Sequence, residues 1–196
     1  MLFNFLAPFA DQLPFLNLFR YITFRTGGAI LTALLISFIV GPVLIRWLKK
    51  SQKEGQPIRK DGPESHIIKK AGTPTMGGFL ILLGLLVSTL LWADLTNRYI
   101  WTVLGVTTAF GIVGFIDDLL KIRWQTSRGM SAKLKFLIQS VIAAAGTYAI
   151  MEITREPLST SLAVPFLKDI LLNFGWFFLP FAVVVVVGTS NAVNLT

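Results

Sequence analysis

The chain has 196 residues, of which 54% are hydrophobic and only 14% charged, with a net charge of +8 and a mean hydropathy of +0.68. A soluble domain usually carries about a quarter charged residues, so this composition excludes an ordinary water-solvated fold. The absence of cysteine excludes disulfides, thiolate metal sites and cysteine nucleophiles together.

The first segment, MLFNFLAPFADQLPFLNLF, is interrupted by Pro8, Asp11 and Pro14 and has no basic leader. It reads as a short interfacial segment anchored by phenylalanines, neither a signal peptide nor a span. Charge-free stretches then mark the membrane crossings. They cover residues 26–45, 71–93, 99–116, 136–151 and 170–196, each near the ~20 apolar residues that a spanning helix needs. The 136–151 stretch is short, but Lys133 and Lys135 at its edge extend it by snorkelling. The expected architecture is an all-α polytopic transmembrane bundle forming one membrane domain over 1–196. Its five spans are 22–46, 76–93, 99–119, 134–151 and 172–189, joined on one side by loops 47–75 and 120–133.

Orientation follows from where the cations fall. Eight lysines and arginines lie between Arg46 and Lys70, and five more between Lys121 and Lys135, thirteen of the eighteen in the chain. The positive-inside rule puts both basic loops in the cytoplasm and the N-terminus outside. This distribution also explains the net charge through topology and contact with anionic membrane lipids, with no call for nucleic acid.

Several polar residues exceed what topology requires. Asp117 and Asp118 follow the apolar run of the third span in GFIDDLLK, and carboxylates at membrane depth are costly and usually functional. Adjacent helical residues point about 100° apart, so the two need not share one role. Paired carboxylates beside basic loops suit Mg²⁺ held together with substrate phosphates. Lys121, three and four residues on, also allows a plain helix-end salt bridge.

The loop RKDGPESHIIKKAGTPTMGG contains Gly62-Pro63 and Thr73-Pro74, which break regular structure, and Gly77-Gly78, which permits close backbone approach. Thr73 or Thr75 as a helix cap, with Lys69 and Lys70 beside it, makes an anion-binding helix mouth. His66, the only histidine, reads as a loop hydrogen-bonding residue. In VVVVVGTSNAVNLT, Thr189 and Ser190 read as interhelical glue, whereas Asn191 and Asn194 read as ligands for a polar substrate.

Taken in order, FRTGGAILTALLIS, DGPESH…KKAGTPTMGG, GFIDDLLK, GMSAKLKF and VGTSNAVNLT closely resemble the phospho-N-acetylmuramoyl-pentapeptide transferase family over essentially the whole chain. That family belongs to the polyprenyl-phosphate N-acetylhexosamine-1-phosphate transferases. The resemblance implies transfer of phospho-MurNAc-pentapeptide from UDP-MurNAc-pentapeptide to undecaprenyl phosphate. The products would be lipid I and UMP, made with Mg²⁺ at the cytoplasmic face of the bacterial plasma membrane.

It implies a catalytic and metal-binding role for Asp117 and Asp118, one of which deprotonates the lipid phosphate or attacks directly. It places Lys70, Thr75, Lys121, Lys133, Asn191 and Asn194 in the substrate cleft, and homodimerisation is an expectation on the same ground. It also implies about twice as many spans, a further aspartate-rich stretch and the main Mg²⁺ ligand, none of which these residues include. The chain by itself is therefore expected to be the N-terminal half of the fold, and inactive. A related nucleotide-sugar transferase, or a non-catalytic truncated membrane protein, is the competing reading.

Overall fold

The structure is a computed structural model that describes residues 1–52, 76–124, 129–164 and 170–193. Helices α1 (Leu2–Leu6), α2 (Ile22–Ser51), α3 (Gly78–Trp92), α4 (Arg98–Trp124), α5 (Ala132–Ile153) and α6 (Phe178–Val193) carry the chain. A two-stranded antiparallel hairpin, β1 (Ser161–Ala163) and β2 (Leu171–Asn173), interrupts them. α2, α4, α5 and the stretch Gly175–Val193 are long and apolar enough to cross a membrane. α3 is apolar but shorter, roughly 22 Å at 1.5 Å per residue. The chain is thus a helical, polytopic membrane protein.

The elements group into two compact units. The first comprises residues 1–97 and 114–130, and the second residues 98–113 and 131–196. In the first unit, α1 leads into 3₁₀ turns at Ala7–Asp11 and Pro14–Arg20. Prolines near the start of each turn have lost only an amide proton that a helix start leaves unpaired. The phenylalanine-rich N-terminus is therefore a set of short turns, with Phe5 and Phe15 largely exposed.

α2 and α3 pack side by side around Trp92. Its indole N–H donates to Thr32 Oγ1 at 2.9 Å, Phe19 stacks on it at 5.9 Å, and Phe24 meets it edge-on at 6.0 Å. Gly28 makes room, since a Cβ there would stand 2.5 Å from the indole ring. The outward face of α2 exposes Leu31, Phe38 and Ile39, as expected where lipid is the solvent.

In the first unit the N-terminus is also tied to the loop after α3. Asn4 Nδ2 donates to Asp94 Oδ1 at 2.9 Å, and the Leu95 amide returns a bond to Asn4 Oδ1 at 2.9 Å. Asp94 Oδ1 also accepts from the Thr96 amide and hydroxyl, at 3.0 and 2.7 Å.

The second unit packs α5 against α6. Gly146 of α5 is needed for close approach, because a Cβ there would overlap the Val106 side chain. The last helix starts at Phe178, six residues beyond the sequence expectation of 172. Residues Leu171–Asn173 instead pair with Ser161–Ala163, and Asn173 Oδ1 accepts from the Thr160 hydroxyl and the Gly175 amide.

Candidate functional site

Three of the singled-out residues meet at the C-terminal end of α4. Asp117 and Asp118 lie four and three residues before Lys121, which places all three on adjoining helical faces. Lys121 Nζ sits 2.7 Å from Asp117 Oδ2 and 3.2 Å from Asp118 Oδ1. The helix-end salt bridge read as the plain alternative therefore exists, and it joins both carboxylates through one ammonium.

The two aspartates differ in their surroundings. The Asp117 side chain is 9% exposed and that of Asp118 29%. Asp117 Oδ1 additionally accepts from the Met130 amide at 2.8 Å, so each of its oxygens has a partner. A buried carboxylate is tolerable only when paired and hydrogen-bonded in this way.

Gly129 makes that second bond possible. It holds φ at +55°, the left-handed region that a side chain disfavours. It also lies so close to the aspartate that an added Cβ would overlap Asp117 Oδ1 and stand 2.9 Å from Lys121 Cε. Two residues after Gly129, Ser131 caps α5, its Oγ accepting from the Leu134 amide at 3.4 Å. The GMS triplet in GMSAKLKF is therefore a left-handed turn residue, an amide donor and a helix cap in succession. Sequence reasoning missed Gly129 and Met130; their only signal was a glycine two residues before a capping serine.

Asn191 belongs to a separate polar pair in the second unit. Its Nδ2 donates to Gln139 Oε1 and to the Val187 carbonyl, both at 2.8 Å. Gln139 is 4% exposed, a buried amide in a membrane-length helix, and it too was missed. A lone glutamine in KFLIQSVIAAAG was the available signal, since such a group must find a partner in lipid. Thr189 differs from its reading as interhelical glue. Its hydroxyl bonds the carbonyls of Val185 and Val186 in its own helix, at 2.7 and 3.2 Å.

Lys133 stands exposed on the first turn of α5. Lys70, Thr75, Asn194 and His66 lie outside the described residues. α3 starts at Gly78 with Gly77 at its cap position and no side-chain cap, while Thr73 and Thr75, the expected caps, are also outside them.

Among the described residues no three His, Cys, Asp or Glu side chains cluster as a metal cage. The adjacent Asp117 and Asp118 carboxylates nonetheless fit Mg²⁺, which is commonly held by one or two carboxylates together with substrate phosphates. Asp118, the more exposed, has the better access to such an ion.

The glycosyl transferase family 4 profile matches residues 100–196, and the phospho-N-acetylmuramoyl-pentapeptide-transferase signature 1 matches residues 70–82. Whole-chain similarity extends to proteins named phospho-N-acetylmuramoyl-pentapeptide-transferase. The chain is 53% identical to that of Maricaulis maris over 201 residues, covering 100% of this chain and 55% of the relative. It is 56% identical to that of Rhodopseudomonas palustris strain BisA53 over 191 residues, covering 97% of this chain and 53% of the relative. With the Granulibacter bethesdensis protein it shares 53% identity over 196 residues, 100% of this chain and 54% of the relative. The chain thus spans about half the length of the curated relatives it matches, and it belongs to the phospho-N-acetylmuramoyl-pentapeptide-transferase family.

Proposed function

We propose that this chain forms part of an enzyme that transfers phospho-MurNAc-pentapeptide from UDP-MurNAc-pentapeptide to undecaprenyl phosphate, giving lipid I and UMP for peptidoglycan synthesis. The observation that carries the reading is the Asp117–Lys121–Asp118 cluster at the end of a membrane-length helix, in a chain at least 53% identical to three named transferases. Both substrates are anionic, and phosphoryl transfer rests mainly on positioning and charge neutralisation.

Each residue then has a task. Lys121 neutralises the two carboxylates in the free site and is able to turn to a phosphate oxygen when substrate enters. Asp117, fixed by Lys121 and by the Met130 amide, holds the end of α4 against residues 129–130. Asp118 offers a reachable oxygen as proton acceptor for the lipid phosphate. Mg²⁺ held by Asp118 and Asp117 would neutralise charge on the transferring phosphoryl group. Lys133, Lys70 and Thr75 supply cations and a hydroxyl for the nucleotide phosphates, and Asn191 and Asn194 polar contacts to the substrate.

The basic loops facing the cytoplasm of a bacterial plasma membrane would put this end of α4 where the water-soluble nucleotide is made. The prenyl chain would stay in lipid, and the working assembly would be a homodimer. The test is UMP release from UDP-MurNAc-pentapeptide and undecaprenyl phosphate with Mg²⁺, using the chain carried to the full length of its relatives. We expect release that is abolished in Asp118→Asn. A folded full-length protein with no release, or one indifferent to Asp118→Asn, overturns the reading.

A further inference from the structure

The chain spends a buried polar side chain, Gln139, on one atom of Asn191. The geometry fixes which atoms those are. The Val187 carbonyl can only accept, so the Asn191 atom 2.8 Å from it is the amide nitrogen. That same nitrogen lies 2.8 Å from Gln139, so the Gln139 atom facing it is the carbonyl oxygen. Both Nδ2 protons of Asn191 are therefore committed within the second unit. Asn191 is half-buried where Gln139 is buried, and among the described residues its two side-chain hydrogen bonds both run through nitrogen.

We propose that Gln139 is a positioning residue that turns the Asn191 amide so that its carbonyl oxygen is the atom offered to a ligand. Asn191 then recognises a hydrogen-bond donor, a hydroxyl or N–H of the nucleotide-sugar substrate, and disfavours a phosphate oxygen. Without Gln139 the Val187 carbonyl alone holds the amide, and the side chain regains rotamers that present Nδ2 instead. An amide that reads either polarity discriminates less than one locked in a single sense. The buried glutamine thus acts through Asn191 and touches no substrate itself. The substrate assignment rests on the transferase reading; the orientation of the amide does not.

Two measurements separate those layers. In the first, the chain carries ¹⁵N-asparagine, and the Asn191 side-chain signal is identified by its loss in Asn191→Ser. Both Nδ2 protons are expected to exchange slowly with solvent, and one is expected to become fast in Gln139→Leu. Rapid exchange of both in the unsubstituted chain overturns the orientation. In the second, the full-length enzyme is assayed for UMP release. Gln139→Leu is expected to raise KM for the nucleotide sugar about five- to tenfold, the worth of one oriented hydrogen bond, with kcat nearly unchanged.

In an Asn191→Ala background the same Gln139→Leu change is expected to add nothing, because its effect runs through Asn191. A merely structural glutamine would keep its cost there, and that result, or an unchanged KM in Gln139→Leu alone, overturns the proposal. If Gln139→Leu fails to fold, Gln139→Met serves in both assays. Slow exchange in a full-length chain that releases no UMP retains the amide orientation and sinks the transferase reading instead.

Discussion

Replacing Gly129 by alanine attacks the Asp117 pairing without touching a charge. Two costs add at this position. A side chain at φ +55° costs about 1–2 kcal/mol in the left-handed region. The new methyl would also overlap Asp117 Oδ1 and press on Lys121 Cε at 2.9 Å and the Asp117 carbonyl at 3.1 Å. Neither the lysine end nor the carboxylate can move alone, because Lys121 holds the other oxygen of Asp117 at 2.7 Å.

The carboxylate must therefore rotate or residues 129–130 must lift. Either movement breaks the 2.8 Å bond from the Met130 amide, and hydrogen bonds to charged groups are worth about 1.5–3 kcal/mol. The combined penalty is roughly 2.5–5 kcal/mol, confined to residues 129–130 and the end of α4. We predict that Gly129→Ala leaves global helicity intact while deprotecting the Met130 amide in hydrogen exchange by about two orders of magnitude. In the full-length enzyme, UMP release should fall by at least ~10-fold, because the Asp117 carboxylate no longer holds its position. A Gly129→Ala protein with a protected Met130 amide and unchanged activity would refute the steric reasoning outright.

Other consequences are sharper in direction than in size. Asp117→Asn keeps an acceptor for the Met130 amide but loses the ion pair to Lys121. Circular dichroism should stay unchanged while UMP release drops at least ~100-fold, the usual worth of a positioned ionisable group. Gly28→Ala sets a methyl 2.5 Å from the Trp92 ring, which Phe19, Phe24 and Thr32 hold in place. It should cost about 1–3 kcal/mol by overpacking, read as a lower midpoint of thermal unfolding followed by tryptophan fluorescence.

Asp94 gives a pH signature. The Thr96 hydroxyl, then Asn4, then the Thr96 amide and the Arg25 charge hold its pKa below the ordinary carboxylate value. Its folded pKa is lowered, so its contribution is complete above the unfolded value and is lost as pH falls through the folded one. Unfolding midpoints measured in acid should drop for the natural chain along a slope that Asp94→Asn flattens; parallel curves would show that the Asn4–Asp94 tie carries no such linkage.

Much of this arrangement was legible in the chain. Charge-free runs gave the helices because lipid tolerates no unpaired backbone. The positions of Asp117, Asp118 and Lys121 at i, i+1 and i+4 were enough to bring them together. Residues whose importance depends on conformation were not legible. Gly129 matters only because its φ is positive and a carboxylate lies against it, and neither fact has a period or composition. Gln139 matters only because α6 brings Asn191 beside it, a contact 52 residues away in sequence. The pairing of Leu171–Asn173 with Ser161–Ala163 was hidden in the same way. Three-residue strands have no alternation to read, and LLN continued an apolar run that looked like the start of a helix.

The two polar groups set into apolar helices follow one rule. A carboxylate or amide in such a place is tolerable only when its local partners are complete, and the partners chosen decide what remains for chemistry. Asp117 has both oxygens engaged, by the Lys121 ammonium and the Met130 amide. Its neighbour Asp118 shares the lysine at a longer 3.2 Å and stays three times as exposed by side-chain area. Asn191 has its nitrogen engaged twice, and its oxygen is the atom to which we assign the ligand contact. Substitutions at Gly129 and Gln139, which carry no charge and need touch no ligand, are therefore expected to change activity through the atoms of Asp117 and Asn191 that they hold in place.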